Sequence, residues 1–156
     1  MNGTPDPPEP GRLSLTGRAL RLLSNREHSR AELERKLLPH ASDAASLAQV
    51  LDALQTKGFI NEARVVESVV HRRAAKLGAA RIKQELQAKG LDGPAVAVAT
   101  ERLRATELER ARAVWRKKFA QPPQDATERA RQMRFLASRG FEGDVIRRVV
   151  QGIDQD

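Results

Sequence analysis

Apolar residues recur at steps of three and four along most of this chain. The clearest stretch lies between residues 61 and 77, where the periodic positions are Val65, Val66, Val69, Val70 and Leu77. This period is typical of an α-helix with one buried face, and not of a strand. Asn61 is placed to cap the start of the helix, and Gly78 is placed to end it in a left-handed conformation.

Three further helices are predicted before this stretch. Ser29 and Glu32 form a capping box that opens the second of them, because each side chain can satisfy a backbone amide of the other residue. The third begins after Ser42 or Asp43, and the pattern leaves open which of the two caps it. Leucine and alanine at helical spacing supply the inward faces of all three.

Glycines mark the ends of several predicted helices. Gly58, Gly90 and Gly140 each follow a basic residue and precede a bulky apolar one. That order fits a left-handed C-terminal cap followed by an apolar anchor, and Phe59 and Ile60 would be the anchors after the first of these turns. The recurrence of the pattern supports an internal repeat.

Helix starts in the second half of the chain carry comparable signals. Pro94 stands in a first turn, where its missing N–H costs nothing. Thr106 with Glu109 predicts a second capping box, and Asp125 is expected to cap the next helix. Counted together, these signals predict nine helices in three groups of three, which begin near residues 14, 61 and 106.

The predicted fold class is all-α, an elongated array of three tandem three-helix repeats of the helix-turn-helix kind. Residues 1–13 are expected to be a disordered tail, and residues 14–60, 61–105 and 106–156 to be the repeats. Units of about 45 residues have small cores and need neighbours for stability. Such an array is suited to lying along a partner and not to enclosing a small molecule.

The composition narrows the classes of function. The chain has no cysteine, which excludes disulfides, thiolate chemistry and cysteine-bound zinc and favours a reducing cytosol. No apolar run approaches the about 20 residues of a membrane span, and the start of the chain shows no secretory signal. We therefore expect a cytoplasmic protein without a membrane partner.

Few residues are placed where they could take part in catalysis or bind a metal or cofactor. The three histidines lie far apart in sequence and lack metal-ligand spacing, and no glycine-rich phosphate loop is present. We expect no catalytic residue, no metal and no cofactor, so the protein is predicted not to be an enzyme. A hydrolase or transferase is the disfavoured alternative.

Charge gives the strongest lead. The net charge is +8, which favours a polyanionic partner such as nucleic acid, although solvated helix faces would also account for it. Like charges one helical turn apart are mildly destabilising, so their presence suggests a binding role. The candidate binding residues are Arg72, Arg73, Lys76, Arg81, Lys83 and Lys89 in the middle of the chain and Arg112, Arg116, Lys117 and Lys118 nearer its end.

The few aromatic residues limit the mode of binding. Most of them fall on inner helix faces or in glycine–aromatic turns, namely Phe59, Trp115, Phe119, Phe135 and Phe141. Surfaces that bind single strands usually stack bases on exposed aromatic rings. The sequence therefore argues against an independent stacking platform, and contacts to phosphates or to protein remain.

Four segments resemble the RecX family, whose members regulate the bacterial recombinase RecA. They are Gly58–Glu62 (GFINE), Ile82–Leu91 (IKQELQAKGL), Ser29–Leu37 (SRAELERKL) and Leu136–Phe141 (LASRGF). The resemblance covers residues 15–150. The chain departs from the family pattern where Asn61-Glu62 replaces an acidic pair and where Val65 and Val66 replace a phenylalanine–alanine step, which affects caps and packing.

The resemblance implies a three-repeat helical regulator that binds the RecA–DNA filament along its groove. It would inhibit ATP hydrolysis, strand exchange and co-protease action in recombination, DNA repair and the SOS response. The resemblance also implies a monomer that binds single- and double-stranded DNA weakly when alone. The alternative is a basic helical module that binds DNA or RNA without recombinase specificity.

Overall fold

The computed structural model describes residues 13–152, so the predicted tail, residues 1–13, lies outside the described residues except for Leu13. The described part is all-α and contains nine α-helices, which confirms the predicted class. Their bounds are α1 Leu15–Asn25, α2 Arg30–Leu37, α3 Ala44–Thr56, α4 Glu62–Arg73, α5 Ala79–Ala88, α6 Pro94–Ala105, α7 Glu107–Lys118, α8 Ala126–Ser138 and α9 Gly143–Gln151. None of these helices is long and apolar enough to cross a membrane.

The first compact unit ends at Asn61 and contains α1, α2, α3 and a short 3-10 helix, Leu38–His40. Its core is aliphatic and consists of Ala19, Leu33, Leu37, Leu47, Leu51, Leu54 and Ile60. The predicted capping box of Ser29 and Glu32 is present. Asp43 is the cap of α3, because its carboxylate accepts a hydrogen bond from the amide of Ser46 at 2.7 Å.

Of the two residues predicted to anchor the turn after α3, only one does so. The Phe59 side chain is 46% exposed, whereas Ile60 is buried in the core of the first unit. Gly58 has the positive φ expected of the turn. The turn therefore points the second apolar residue inward, and the sequence pattern alone could not distinguish which of the two neighbours would be buried.

A buried histidine lies between the ends of α1 and α2. His28 Nδ1–H donates to the carbonyl of Arg26 at 3.0 Å, which leaves Nε2 to accept from Lys36 Nζ at 3.1 Å. Burial lowers the pKa of His28, and the positive charges of Arg26 and Lys36 lower it further, against the opposing effects of the Arg26 carbonyl and Glu32. The folded first unit therefore holds this imidazole neutral.

The second compact unit begins at Glu62 and contains two apolar clusters. Helices α4, α5 and α6 surround the first, whose buried members are Val65, Val66, Val69, Ala79, Ile82, Leu86, Leu91, Val96 and Leu103. Helices α7, α8 and α9 surround the second, whose buried members are Ala111, Trp115, Phe119, Leu136, Phe141, Ile146, Val149 and Val150. The repeat boundaries predicted from the sequence stay a prediction.

The prediction for Gly78 was wrong. Its φ is −77°, in extended backbone, and it precedes α5, whereas α4 already ends at Arg73. The Gly78 N–H donates to the carbonyl of Arg139 at 2.8 Å, and a Cβ at this position would lie 2.2 Å from the carbonyl oxygen of Gly140. Glycine is needed here because two backbone segments touch, and not because a helix ends.

The predicted capping box at Thr106 was also wrong. The Thr106 hydroxyl donates to the carbonyl of Leu103 at 3.3 Å, and it accepts from Arg110 Nε at 3.1 Å. The neighbouring carboxylate of Glu107 is buried and accepts a hydrogen bond from the amide of Ala79 at 2.8 Å. Glu107 on α7 therefore caps α5, whose own N-cap residue, Gly78, has no side chain.

The neutral state of His28 makes the stability of the first unit dependent on pH. Below the ordinary histidine pKa of about 6.5, the unfolded chain takes up a proton that the folded chain does not, so stability falls as the pH decreases from there toward the folded-state pKa. Urea unfolding followed by circular dichroism should show this loss between about pH 7.5 and about pH 5.5.

His28→Gln should reduce that loss, because the titrating group is gone. His40→Gln is the matched control, since His40 is an exposed histidine of the same unit. Equal losses in the His28→Gln variant and in the unchanged protein would contradict the assignment.

Gly78→Ala should destabilise the second unit by about 1–3 kcal/mol, because the added Cβ forces apart two backbone segments that cannot yield as a side chain would. The midpoint of thermal or urea unfolding measures this. Gly143→Ala is the control, because a Cβ there meets only the Arg147 side chain at 4.0 Å. Similar midpoints for the two variants would show that the contact at Gly78 is not needed.

Candidate functional site

A groove of about 500 Å³ lies where the chain segment after α4 meets α7 and α8, within the second unit. We call it the basic groove. Its apolar lining consists of Ala75, Leu77, Val114 and Phe135. Its cationic lining consists of Arg73, Lys76, Lys117, Lys118 and Arg139. The groove contains no carboxylate, so its lining favours anions.

The backbone contact at Gly78 builds this groove. It places the segment that ends at Leu77 beside the end of α8, which Arg139 directly follows. Arg81, in the first turn of α5, reinforces the same junction because its guanidinium Nη1 donates to the carbonyl of Ser138 at 3.0 Å. Cations that are distant in sequence therefore share one groove as a result of one backbone contact.

The cations of the basic groove differ in how far they are neutralised. Arg73 Nε lies 3.1 Å from Glu85 Oε2, and both side chains are partly exposed, so this ion pair is weak. Lys76 and Lys117 are exposed and form no ion pair within residues 13–152. An incoming anion can therefore bind at these two lysines without first breaking a salt bridge.

Two further cations of the groove lie close to the ring of Phe135. The Arg139 guanidinium carbon lies 4.9 Å from the centroid of the Phe135 ring, and Lys118 Nζ lies 5.7 Å from it. The Phe119 ring packs edge-on against Phe135, with centroids 5.4 Å apart. Each cation–π contact contributes about 0.5–1 kcal/mol at an exposed site. Phe135 therefore holds both cations at the groove and fixes their positions.

The structure gathers four of the ten predicted binding residues in the basic groove, namely Arg73, Lys76, Lys117 and Lys118. The remaining six do not line it. Arg72 and Arg116 are exposed on their helices, and Arg81 is engaged at the junction with α8. Lys83 lines a separate depression beside Arg104.

The last two predicted residues are partly buried. Lys89 follows the end of α5, and Arg112 lies on α7. The Nη2 atom of Arg112 is buried and has no hydrogen-bond partner within the described residues. The two predicted clusters are therefore not continuous surfaces, because only part of each faces the groove.

Arg139 was missed by sequence reasoning. It precedes Gly140 in the recurring order of basic residue, glycine and apolar residue, which was interpreted only as a helix end. Its functional position depends on the contact between Gly78 and the Arg139–Gly140 segment, which are about 60 residues apart in the chain. The recurring basic residue before each glycine was the one local signal that could have indicated it.

A second, apolar groove of about 700 Å³ lies on the same unit. We call it the apolar groove, and it is lined by Ala63, Val66, Glu67, Val70, Ala74, Pro94, Ala95, Val98, Ala99, Arg102, Leu103, Thr106 and Arg110. Helices α4 and α6 form its walls, and the start of α7 closes one end.

Arg110 closes that end by joining the ends of two helices. Its Nη1 donates to the carbonyls of Ala74 and Leu77 at 2.8 and 2.6 Å, and its Nη2 donates to the carbonyl of Leu103 at 2.8 Å. Burial lowers the pKa of Arg110, while the negative charge of Glu107 opposes that shift. A guanidinium stays charged at neutral pH even so, and it donates to carbonyls at and just after the C-terminal ends of two helices.

The lining of the basic groove is suited to binding an anion. It offers amines, guanidinium groups and apolar side chains. Across residues 13–152, no three histidine, aspartate or glutamate side chains come close enough together to hold a metal ion.

Comparison with known proteins identifies the family. The model of the second three-helix domain of RecX matches residues 61–99, and the model of the third matches residues 105–150. The "Regulatory protein RecX" of Leptothrix cholodnii is 59% identical over 144 residues, which cover 92% of each chain. That of Ralstonia nicotianae is 48% identical over 142 residues, covering 91% of this chain and 89% of the relative.

A solved structure has the same fold. The crystal structure of RecX from Lactobacillus salivarius superposes with a TM-score of 0.75 at 22% identity, covering 91% of this chain and 96% of that chain. At this identity the likeness shows the arrangement of helices only. Together with the family models and the curated relatives, it leads to one assignment: the chain belongs to the RecX family of regulatory proteins.

Proposed function

We propose that this protein regulates the RecA recombinase by binding the RecA–DNA filament and lowering its ATPase, strand-exchange and co-protease activities. The observation that carries the proposal is the basic groove, in which cations from α7, from the end of α4 and the segment after it, and from the turn after α8 converge without a carboxylate in the lining. A DNA filament presents regularly spaced phosphates, and such a groove is complementary to them.

Regulation requires more than attraction to phosphate. A ligand that binds two states of a filament equally well shifts neither of them, whatever its affinity. The protein must therefore bind one filament state more tightly, and inhibition follows if that state hydrolyses ATP slowly or excludes the second DNA. We expect the protein to act as a cytoplasmic monomer and to bind bare DNA weakly.

A second candidate function is nucleic-acid binding without recombinase specificity. The basic groove itself favours it, because phosphate contacts carry no sequence or partner information. This candidate predicts tight binding to bare DNA or RNA and no effect on filaments beyond competition for DNA. The two candidates are distinguished by comparing filament inhibition with affinity for bare oligonucleotides.

Reversing charge in the basic groove should weaken inhibition of DNA-dependent ATP hydrolysis by RecA. Lys76→Glu combined with Lys117→Glu should raise the concentration for half-inhibition by about tenfold, because two anion contacts become repulsive. Arg73 is left unchanged, since a glutamate there would face Glu85 and would change stability as well as binding. Fixed salt concentration is essential.

The matched control is Arg129→Glu with Arg134→Glu, which makes the same change in net charge on exposed positions of α8 outside the groove. If the groove variant inhibits as strongly as the unchanged protein, the groove cations are merely solvated.

The neutral replacements Lys76→Gln and Lys117→Gln, made together, should lower the salt dependence of single-stranded DNA binding. The slope of the logarithm of the binding constant against the logarithm of the salt concentration should fall in magnitude by about 1.4.

A further inference from the structure

The apolar groove has the dimensions of a helix-binding site. Helices α4 and α6 run in the same direction, since their ends come together at Arg110, which donates to Ala74 and Leu103. Twelve residues in each helix make walls of about 18 Å, which is the length of about three helical turns. An amphipathic helix placed in such a groove is held by apolar anchors three, four and seven residues apart.

The side chains of the groove suit close helix packing. Alanines at positions 63, 74, 95 and 99 line it and leave room for another backbone to approach. Val98 on α6 is 50% exposed, although it is a large apolar side chain in the middle of a helix. Val66 and Val70 continue the apolar lining on α4. A contiguous apolar patch of this kind is typical of a protein-binding surface.

Opposite charges flank this surface. Glu67 lies on the α4 wall and Arg102 on the α6 wall, and neither side chain forms an ion pair within the described part of the chain. A helix that fits between them presents a basic residue toward Glu67 and an acidic residue toward Arg102, on the two sides of its apolar stripe. The walls therefore specify the charge pattern of the partner and not only its hydrophobicity.

The position of the groove identifies the source of that helix. Ala74 lines the apolar groove, and its neighbours Arg73 and Ala75 line the basic groove. On α7, Arg110 and Val114 are one turn apart and line the apolar and the basic groove respectively. A partner that presents phosphates to the basic groove therefore brings its own protein surface to the apolar one.

We propose that the apolar groove docks an amphipathic helix from the protein component of the nucleoprotein whose nucleic acid occupies the basic groove. The inference rests on the proposed function, because that component is then the recombinase. This docking would also provide specificity for one protein partner. Apolar shape and paired charges can distinguish one protein from others, whereas contacts to phosphates cannot.

The sequences of residues 1–12 and 153–156 lack the apolar period of such a helix. Residues 1–12 contain four prolines and two glycines and no helical period, and residues 153–156 contain one apolar residue. Proline-rich segments bind grooves lined with aromatic side chains, and no aromatic residue lines this groove. The remaining occupant to exclude is a second copy of the protein.

Val98→Asp tests the proposal, because it places a charge in the groove at an exposed position. Binding to preformed RecA filaments on single-stranded DNA, measured by co-sedimentation, should weaken by about tenfold, whereas affinity for the bare oligonucleotide should not change. Ala97→Asp is the matched control, since Ala97 is exposed on the same helix, outside the groove. It should leave both measurements unchanged.

A surface charge variant provides a second test that does not depend on the apolar lining. Arg102→Glu should also weaken filament binding, while Arg104→Glu, two residues along the same helix and outside the groove, should not. Filament binding unchanged in both Val98→Asp and Arg102→Glu would overturn the inference and leave the proposed function intact.

Two other outcomes also decide the question. If the unchanged protein does not bind filaments or affect their ATPase, the proposed function fails and the inference fails with it. If sedimentation shows a dimer of the unchanged protein that Val98→Asp dissociates, the occupant is a second copy and the inference is overturned.

Discussion

The second unit depends on a contact between two backbone segments at Gly78. The N–H of Gly78 reaches the carbonyl of Arg139, and the missing Cβ lets the chain before α5 lie against Gly140. Two side chains add hydrogen bonds near this contact. Arg81 donates to the carbonyl of Ser138, and Glu107 accepts from the amide of Ala79. These bonds pair backbone groups that the close contact removes from water.

The basic groove is a consequence of that contact and has no separate origin. Lys76 precedes Gly78 by two residues, and Arg139 precedes Gly140 by one, so the contact brings both residues to the same groove. The ring of Phe135 then holds Arg139 and Lys118 over the groove. The positive charge of the basic groove thus depends on the absence of a side chain at Gly78.

Sequence reasoning succeeded where the cause of a structure is local. The Ser29–Glu32 capping box and the positive φ of Gly58, Gly90 and Gly140 depend on residues within one turn, and all were predicted correctly. It failed where a distant segment sets the local conformation. Gly78 was expected to end α4, but it lies in extended backbone and donates to the carbonyl of Arg139, about 60 residues further along the chain.

The candidate site shows the same division. Lys76 and Lys117 could be selected from the sequence because charge is a local property. The sequence could not show that these two lysines share one groove or that Arg139 lines it too. Both facts depend on contacts between segments far apart in the chain. Phe59 illustrates the limit within a single turn, because either of the two apolar residues after a helix-ending glycine can turn inward.

In the second unit, side chains of one helix cap the ends of other helices, and this affects how the protein unfolds. Arg110 of α7 satisfies carbonyls at the ends of α4 and α6, and Glu107 satisfies an amide of α5. A three-helix repeat cut out of this unit would therefore lose polar partners along with apolar contacts. Nearest-neighbour coupling of this strength makes two adjacent repeats melt together, so the smallest cooperative unit here is larger than the repeat that the sequence displays.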